Sequence, residues 1–391
     1  MLHRLPPAWR DLAPVMLTAT LVGMTLSLAF PLLSLVLERS GVDTFGIGLN
    51  TAAGGLGIFL VAPFVPFLVR RLGVIGCFRL GLVVCAAGML IFPWHVEPWF
   101  WFGLRLVFGM AASLMFVLSE AAVNALAPAA IRGRVLGIYA TLFSLGFVSG
   151  PLVLTLAGSE GLTPFVLAAA LFLAGLVPVQ LLTPVEGRLA PHEGEGRGRL
   201  LDIWRLAPLA MGGVFVYALL EASQFALLPV YAIDRGMSET VAAGLLSVWL
   251  SGNILFQYPL GWLADRWSRR AVMLTCTVLA LAGQALVPTV VGTPVLLWPL
   301  LVLLGGLMGG LYTLSLTLVG ERFQGADLTR ANTAFVMTFQ IGVITGPPYA
   351  GAVMHLLGVP VFPLALLLPL ALLGTALLAG SGAASAARQQ P

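Results

Sequence analysis

Runs of about twenty apolar residues recur a dozen times along this 391-residue chain, and no other feature limits its fold as tightly. A helix needs about 20 such residues to cross a hydrocarbon core of about 30 Å. Single buried core helices do not repeat that often at that length. The runs predict spans near 12–37, 46–69, 74–93, 99–124, 134–157, 162–182, 208–231, 241–263, 271–290, 295–319, 331–354 and 361–380. Only 9% of the residues are charged and 59% are hydrophobic. An average soluble domain carries about 25% charged residues, so there is too little polar surface here to cover a water-soluble core.

The formal charge of +4 does not argue for nucleic acid. There is no lysine, and the twenty arginines are spread over short loops rather than gathered in a patch. Cys77, Cys85 and Cys276 all fall in apolar runs, which is neither a disulfide framework nor a metal spacing. The apolar run after Arg10 continues to Leu37 without a small-residue cleavage site, so it reads as a retained first helix and not as a signal peptide.

One long polar segment divides the chain. Its Pro191-His192-Glu193-Gly194-Glu195-Gly196-Arg197-Gly198-Arg199 stretch has the composition of a flexible linker. The expected organisation is a six-helix bundle over 1–182, a cytoplasmic linker over 183–206 and a second six-helix bundle over 207–391. Cytoplasmic loops of membrane proteins carry an excess of arginine. With both termini in the cytoplasm, Arg70, Arg71, Arg132, Arg134, Arg266, Arg269, Arg270, Arg322 and Arg330 lie inside, and Arg39 and Arg235 fall outside. The expected location is a bacterial inner membrane, crossed several times, and the expected state is a monomer.

The two halves repeat. Gly146-x-x-x-Gly150-Pro151 recurs as Gly342-x-x-x-Gly346-Pro347, an offset of 346 − 150 = 196. Arg134 and Arg330 keep the same offset, and the segments after spans two and eight (66–73 and 261–268) differ by 195. A constant offset over several landmarks argues for duplication of a six-helix unit, a known plan for transporters with a midplane site. Glycines four apart allow two helices to pack closely, and the prolines bend their spans.

Gly261-Trp262-Leu263-Ala264-Asp265-Arg266-Trp267-Ser268-Arg269-Arg270 resembles the loop signature of the major facilitator superfamily, Gly-x-x-x-Asp-Arg-x-x-Arg-Arg. The resemblance implies an all-α fold of twelve membrane helices in two pseudo-symmetric bundles. It also implies a cytoplasmic gate, in which Gly261 allows a close approach, Asp265 faces a helix N-terminus, and Arg266 and Arg269 form a conformation-dependent charge network. The first-half copy departs from the signature: Pro66 and Arg70 replace its glycine and aspartate, leaving Arg71 and Gly73. Arg71 and Arg134 join the gate candidates, with ordinary positive-inside topology as the simpler account of these loops. Arg105 and Gly109 are similar to the superfamily's Arg-x-x-x-Gly motif in span four. Gly146, Gly150 and Pro151 resemble, in part, the signature of its proton-coupled exporters; helix packing explains them equally well.

Several polar residues fall inside the spans. Arginine at a helix centre costs roughly 2.5–3.5 kcal/mol on insertion scales, so Arg105 either snorkels to the outer surface or faces a wet cavity, where it could bind substrate or couple protons. Glu221 is deep in span seven. An ionised carboxylate there is expensive unless paired or hydrated, and reversible proton carriage needs a group of that kind. Tyr217, Glu221 and Gln224 share one helical face. Glu120 lies near the cytoplasmic end of span four, either touching Arg132 or Arg134 or serving proton exit. Asn50, Asn253, Gln257, Tyr312, Asn332 and Gln340 complete the polar set, as cavity lining or as interhelical hydrogen bonds. The proton-coupling candidates are Glu221, Glu120 and Arg105. The substrate-binding candidates are Arg105, Tyr217, Glu221, Gln224, Asn253, Gln257, Tyr312 and Gln340.

No phosphate loop, metal cluster or nucleophile–histidine pair stands in the sequence, so no cofactor and no enzymatic activity are expected. The expected partners are a small-molecule substrate, a proton and the lipid bilayer. The expected mechanism is alternating access driven by a proton gradient, with export of small, partly hydrophobic organic molecules. Import of a metabolite or organic anion held by Arg105, and a non-transporting membrane sensor, are the alternatives.

Overall fold

The computed structural model describes residues 7–128, 131–182 and 200–387. The described residues are all-helical. Fifteen α-helices follow in chain order: α1 (Pro7–Arg39), α2 (Thr44–Val61), α3 (Val65–Ile91), α4 (Pro98–Leu126), α5 (Arg132–Ala157), α6 (Thr163–Ala174), α7 (Leu176–Gln180), α8 (Leu200–Leu206), α9 (Pro208–Asp234), α10 (Glu239–Arg266), α11 (Arg269–Val290), α12 (Pro294–Arg322), α13 (Gly325–Leu357), α14 (Phe362–Ala365) and α15 (Leu367–Ala387). The long helices overrun the apolar runs by a few residues, because backbone hydrogen bonding continues past the hydrocarbon edge.

Among the described residues, ten helical stretches are long and apolar enough to cross a membrane. The difference from twelve falls at two places. Thr44–Trp94 is one continuous stretch of 51 residues. Inside it only Gly73 leaves helical geometry, at φ 70° and ψ 170°. Its missing Cβ permits that turn, while Pro66 sits in the first turn of α3, where its absent N–H costs nothing. The loop expected over 66–73 is therefore reduced to one residue. The second place is α13, a 33-residue helix carrying Pro347 and Pro348 inside it, which is not among the ten.

The contacts divide the chain into two units. Unit 1 comprises Met1–Val42, Leu49–Gly194 and Glu239–Ser247; unit 2 comprises Asp43–Gly48, Glu195–Ser238 and Val248–Pro391. In unit 1, α1 packs on α4, α5 and α6, and α3 packs on α4 and α6. In unit 2, α9 packs on α12, α13 and α15, and α11 packs on α12 and α15. Of the expected linker, residues 183–199 lie outside the described residues, as do Arg4 and Arg388. Within the segment expected as a flexible linker, Leu200–Leu206 is helical (α8), because Ile203 and Trp204 pack with Ala207, Met211, Val319 and Phe335. An apolar face with a surface to bury folds in preference to remaining solvated.

The glycine repeats sit in the helix seams. A Cβ on Gly146 would strike Thr20 O of α1, and one on Gly342 would strike Phe215 O of α9. A Cβ on Gly109 would strike Gly54 O of α2, and one on Gly305 would strike Trp249 O of α10. These matched contacts give the repeat a helix-by-helix register: 215 − 20 = 195 for α1 and α9, 249 − 54 = 195 for α2 and α10, and 305 − 109 = 196 for α4 and α12.

Candidate functional site

The in-span polar residues of unit 2 converge around α9. This helix is enclosed by its neighbours, held close to α13 where Gly342 and Gly346 meet its backbone. Tyr217 and Glu221 stand one turn apart on it, and Tyr217 Oη donates to Glu221 Oε1 at 2.5 Å. From α10, Asn253 Nδ2 donates to the Tyr217 hydroxyl at 3.1 Å. The chain of donors therefore runs from amide to phenol to carboxylate. Gly309 on α12 leaves room for the Asn253 amide, which a Cβ there would strike.

Aromatic rings flank this chain. The Tyr312 ring lies 5.5 Å from that of Tyr217, and Phe339 lies 6.2 Å from Tyr217 and 6.0 Å from Tyr312. Phe335 closes the group, 5.3 Å from Tyr312. Tyr217 and Phe335 are buried, whereas Glu221, Asn253, Tyr312 and Phe339 are half-buried. Among the described residues, no arginine or histidine pairs with Glu221. Gln224 is fully buried with its Oε1 unpartnered, Gln340 is half-buried, and Gln257 and Asn332 are exposed. Thus Tyr217, Glu221, Asn253 and Tyr312 come together, and Gln224, Gln257 and Gln340 make no hydrogen bond to them among the described residues.

Arg105 belongs to α4 in unit 1. It is 2% exposed, and its Nε and Nη2 have no hydrogen-bond partner among the described residues. The guanidinium is enclosed by protein, so snorkelling to the surface is not the arrangement adopted. Asn50 on α2 is also buried; it donates to Pro98 O at 3.3 Å, and its Oδ1 is unpartnered. Glu120 is exposed and makes no ion pair with Arg134 among the described residues, while the Arg132 side chain lies outside them. Next to Glu120, Ser119 Oγ and Tyr139 Oη are 2.8 Å apart.

The signature segment after span eight is mostly helix, not loop. Gly261 to Arg266 form the last turns of α10, and Ser268 caps α11 by accepting from Ala271 N at 3.1 Å. Gly261 has open space where its Cβ would be, so the close approach expected of it is absent among the described residues. A half-buried helical glycine with nothing within 4 Å of its Cβ position has no neighbour to admit. Asp265 is exposed, with no hydrogen bond or ion pair among the described residues. The neighbouring arginines have separate partners. Arg266 lies over the Trp262 ring at 3.8 Å, Arg269 pairs with Glu321 of α12, and Arg270 Nε donates to Leu377 O of α15 at 3.0 Å. In the first half, Arg71 lies over Phe67 at 5.6 Å, and Arg70 and Arg134 are exposed.

A family model described as Major Facilitator Superfamily matches residues 15–249 and 210–385. The chain belongs to the major facilitator superfamily. It is 27% identical over 346 residues to the uncharacterized MFS-type transporter YfkF of Bacillus subtilis, covering 87% of this chain and 88% of that one. It is 25% identical over 345 residues to the MFS-type transporter YcaD of Salmonella typhi, covering 88% and 89%. Among solved structures, the nucleoside transporter NupG superposes with a TM-score of 0.76 at 17% identity, covering 94% of this chain and 98% of that one. An inward-facing bacterial homologue of the lysosomal transporter Spinster gives 0.73 at 12% identity, covering 96% and 94%. At those identities the likeness is one of fold. The protein is a multi-pass membrane protein of a superfamily whose members are transporters.

One feature of this superfamily member escaped the reading of motifs. Phe116 of α4 lies 5.4 Å from Phe143 of α5, and Tyr139 stacks on Phe143 at 6.2 Å. In unit 2, Phe335 and Phe339 were likewise overlooked. The signal was available: aromatic residues four apart on α5 and α13, at the repeat offset of 196.

Proposed function

We propose that this chain is a proton-coupled secondary transporter that works by alternating access. In this reading twelve spans form two six-helix bundles, 1–182 and 207–391, on either side of a cytoplasmic linker. Both termini face the cytoplasm, and the bacterial inner membrane is the location. Glu221 carries the proton, Tyr217 and Asn253 position it, and small, partly hydrophobic organic molecules are moved outward.

The observation that supports this most is the Asn253–Tyr217–Glu221 chain. A half-buried acid in the interior of a membrane span is costly as a lone charge. Here its visible hydrogen-bond partner is a neutral phenol, so a proton or a ligand is free to neutralise it in turn. Two neutral donors in series orient the carboxylate without fixing its charge state.

The test is flux into and out of proteoliposomes under an imposed pH gradient. Probes should include lipophilic cations, organic anions and a nucleoside, the last chosen because of the fold shared with NupG. The expected result is gradient-driven flux in the wild type that falls at least tenfold in Glu221→Gln. Unchanged gradient-driven flux in that variant would overturn the role of Glu221. Single-cysteine labelling at each terminus tests the orientation.

A second reading has its own support. The enclosed Arg105, with two unpartnered nitrogens, favours a proton-coupled importer of an organic anion. Flux of anions alone, abolished by Arg105→Met, would select it.

A further inference from the structure

The two units carry an aromatic trio at matching positions. Phe116, Tyr139 and Phe143 of unit 1 correspond at the 196 offset to Tyr312, Phe335 and Phe339 of unit 2. In each, the middle residue is buried and the outer two are half-buried. The ring separations match, 5.4 Å for Phe116–Phe143 against 6.0 Å for Tyr312–Phe339. Fully buried core residues would satisfy packing alone; rings left half open in both copies present a surface.

Unit 2 differs by what it adds to this surface. Tyr217, Glu221 and Asn253 stand where the 195 register of α1/α9 and α2/α10 puts Val22, Leu26 and Ile58 in unit 1. Three apolar positions in one copy are thus an amide–phenol–carboxylate chain in the other. The added carboxylate lies beside the aromatic rings through Tyr217, and its hydrogen-bond donor there is neutral.

We propose that this face of unit 2 binds an organic cation bearing an aromatic ring, with its charge against Glu221 and its ring against Tyr312 and Phe339. Aromatic rings hold another ring at about 4.5–7 Å between centroids, and their faces also attract a nearby cationic charge. A membrane carboxylate without a cationic partner among the described residues gains most from a ligand that brings one. An anion would meet like charge there. The inference rests on the reading of Glu221 as the working acid of a transporter and names the substrate class that acid selects.

The test is equilibrium binding of radiolabelled tetraphenylphosphonium to the purified full chain in detergent, a readout that needs no flux. Tetraphenylborate has the same shape and the opposite charge. The expected results are saturable tetraphenylphosphonium binding that tetraphenylborate does not displace, a loss of about tenfold or more in Glu221→Gln, and a loss of about threefold or more in each of Tyr312→Ala and Phe339→Ala. The aromatic variants keep the test decisive should Glu221→Gln fold poorly, and melting curves identify that case. Equal displacement by tetraphenylborate, or equal binding in the three variants, overturns the proposal. Glu221-dependent binding without proton-driven flux of any probe would leave this inference standing and remove the transport reading. Glu221-dependent flux of a nucleoside without tetraphenylphosphonium binding would do the reverse.

Discussion

The Tyr217 hydroxyl donates to the Glu221 carboxylate across one turn of α9, and at the same time accepts from Asn253 of α10. Both hydrogen bonds depend on one oxygen atom, so Tyr217→Phe removes them together. A hydrogen bond to a charged group contributes about 1.5–3 kcal/mol, and the Phe ring keeps the packing against Tyr312 and Phe339. Gradient-driven flux in Tyr217→Phe is expected to fall by about tenfold, with a lowered melting temperature because Asn253 and Glu221 each lose a partner. A variant that keeps wild-type flux would show that Glu221 needs no positioning by the phenol.

Arg105 offers a separation of stability from function. Replacing a buried charge by an apolar side chain of similar length is often neutral or stabilising, and here two of its nitrogens have no partner to lose. Arg105→Met is therefore expected to melt at or above the wild-type temperature, and in the anion-import reading to transport at least tenfold less. Thermal melting alongside flux decides it; full activity would make the arginine dispensable.

The long helices were legible because hydropathy alone defines a membrane span. What hydropathy could not show were the places where backbone geometry intervenes: the single-residue turn at Gly73, the break between α6 and α7 at Gly175, and the packed helix α8 inside a polar segment. At the site, Tyr217 and Glu221 were readable from their spacing on one helix. The reach of Asn253 to the same hydroxyl depends on how α9 and α10 cross, which a single-helix pattern does not encode. The enclosure of Arg105 was hidden for the same reason, since it depends on how neighbouring helices pack on α4, as at the Gly54–Gly109 contact with α2.

Two glycines of the quoted motifs are expected to respond oppositely to alanine. Gly261 is helical with open space around it. Gly→Ala in a helix interior is favourable by about 1 kcal/mol, so Gly261→Ala should raise the melting temperature or leave it unchanged. At Gly342 the new methyl group would meet the α9 backbone at Phe215 and the Ala218 methyl. Overpacking costs about 1–3 kcal/mol, so Gly342→Ala should lower it. Equal effects at the two sites would remove the distinction between an open helix end and a closed seam.

In unit 1, Arg39 at the end of α1 ties together two other segments. Its Nη2 donates to Ser159 O at 2.9 Å and Ser159 Oγ at 2.7 Å, and it pairs with Glu239 in the first turn of α10. The side chains of Arg39 and Glu239 are 30% and 28% exposed, so water and salt screen their attraction. Such pairs contribute about 0–1 kcal/mol. Glu239→Gln leaves an amide oxygen able to accept from Arg39, so its cost in thermal unfolding should stay below about 1 kcal/mol and shrink further in about 1 M salt, where the screening length is about 3 Å. A larger or salt-independent loss would mean that the α10 tip is held by this charge rather than by hydrogen bonds such as Ser247 Oγ donating to Val148 O at 2.7 Å.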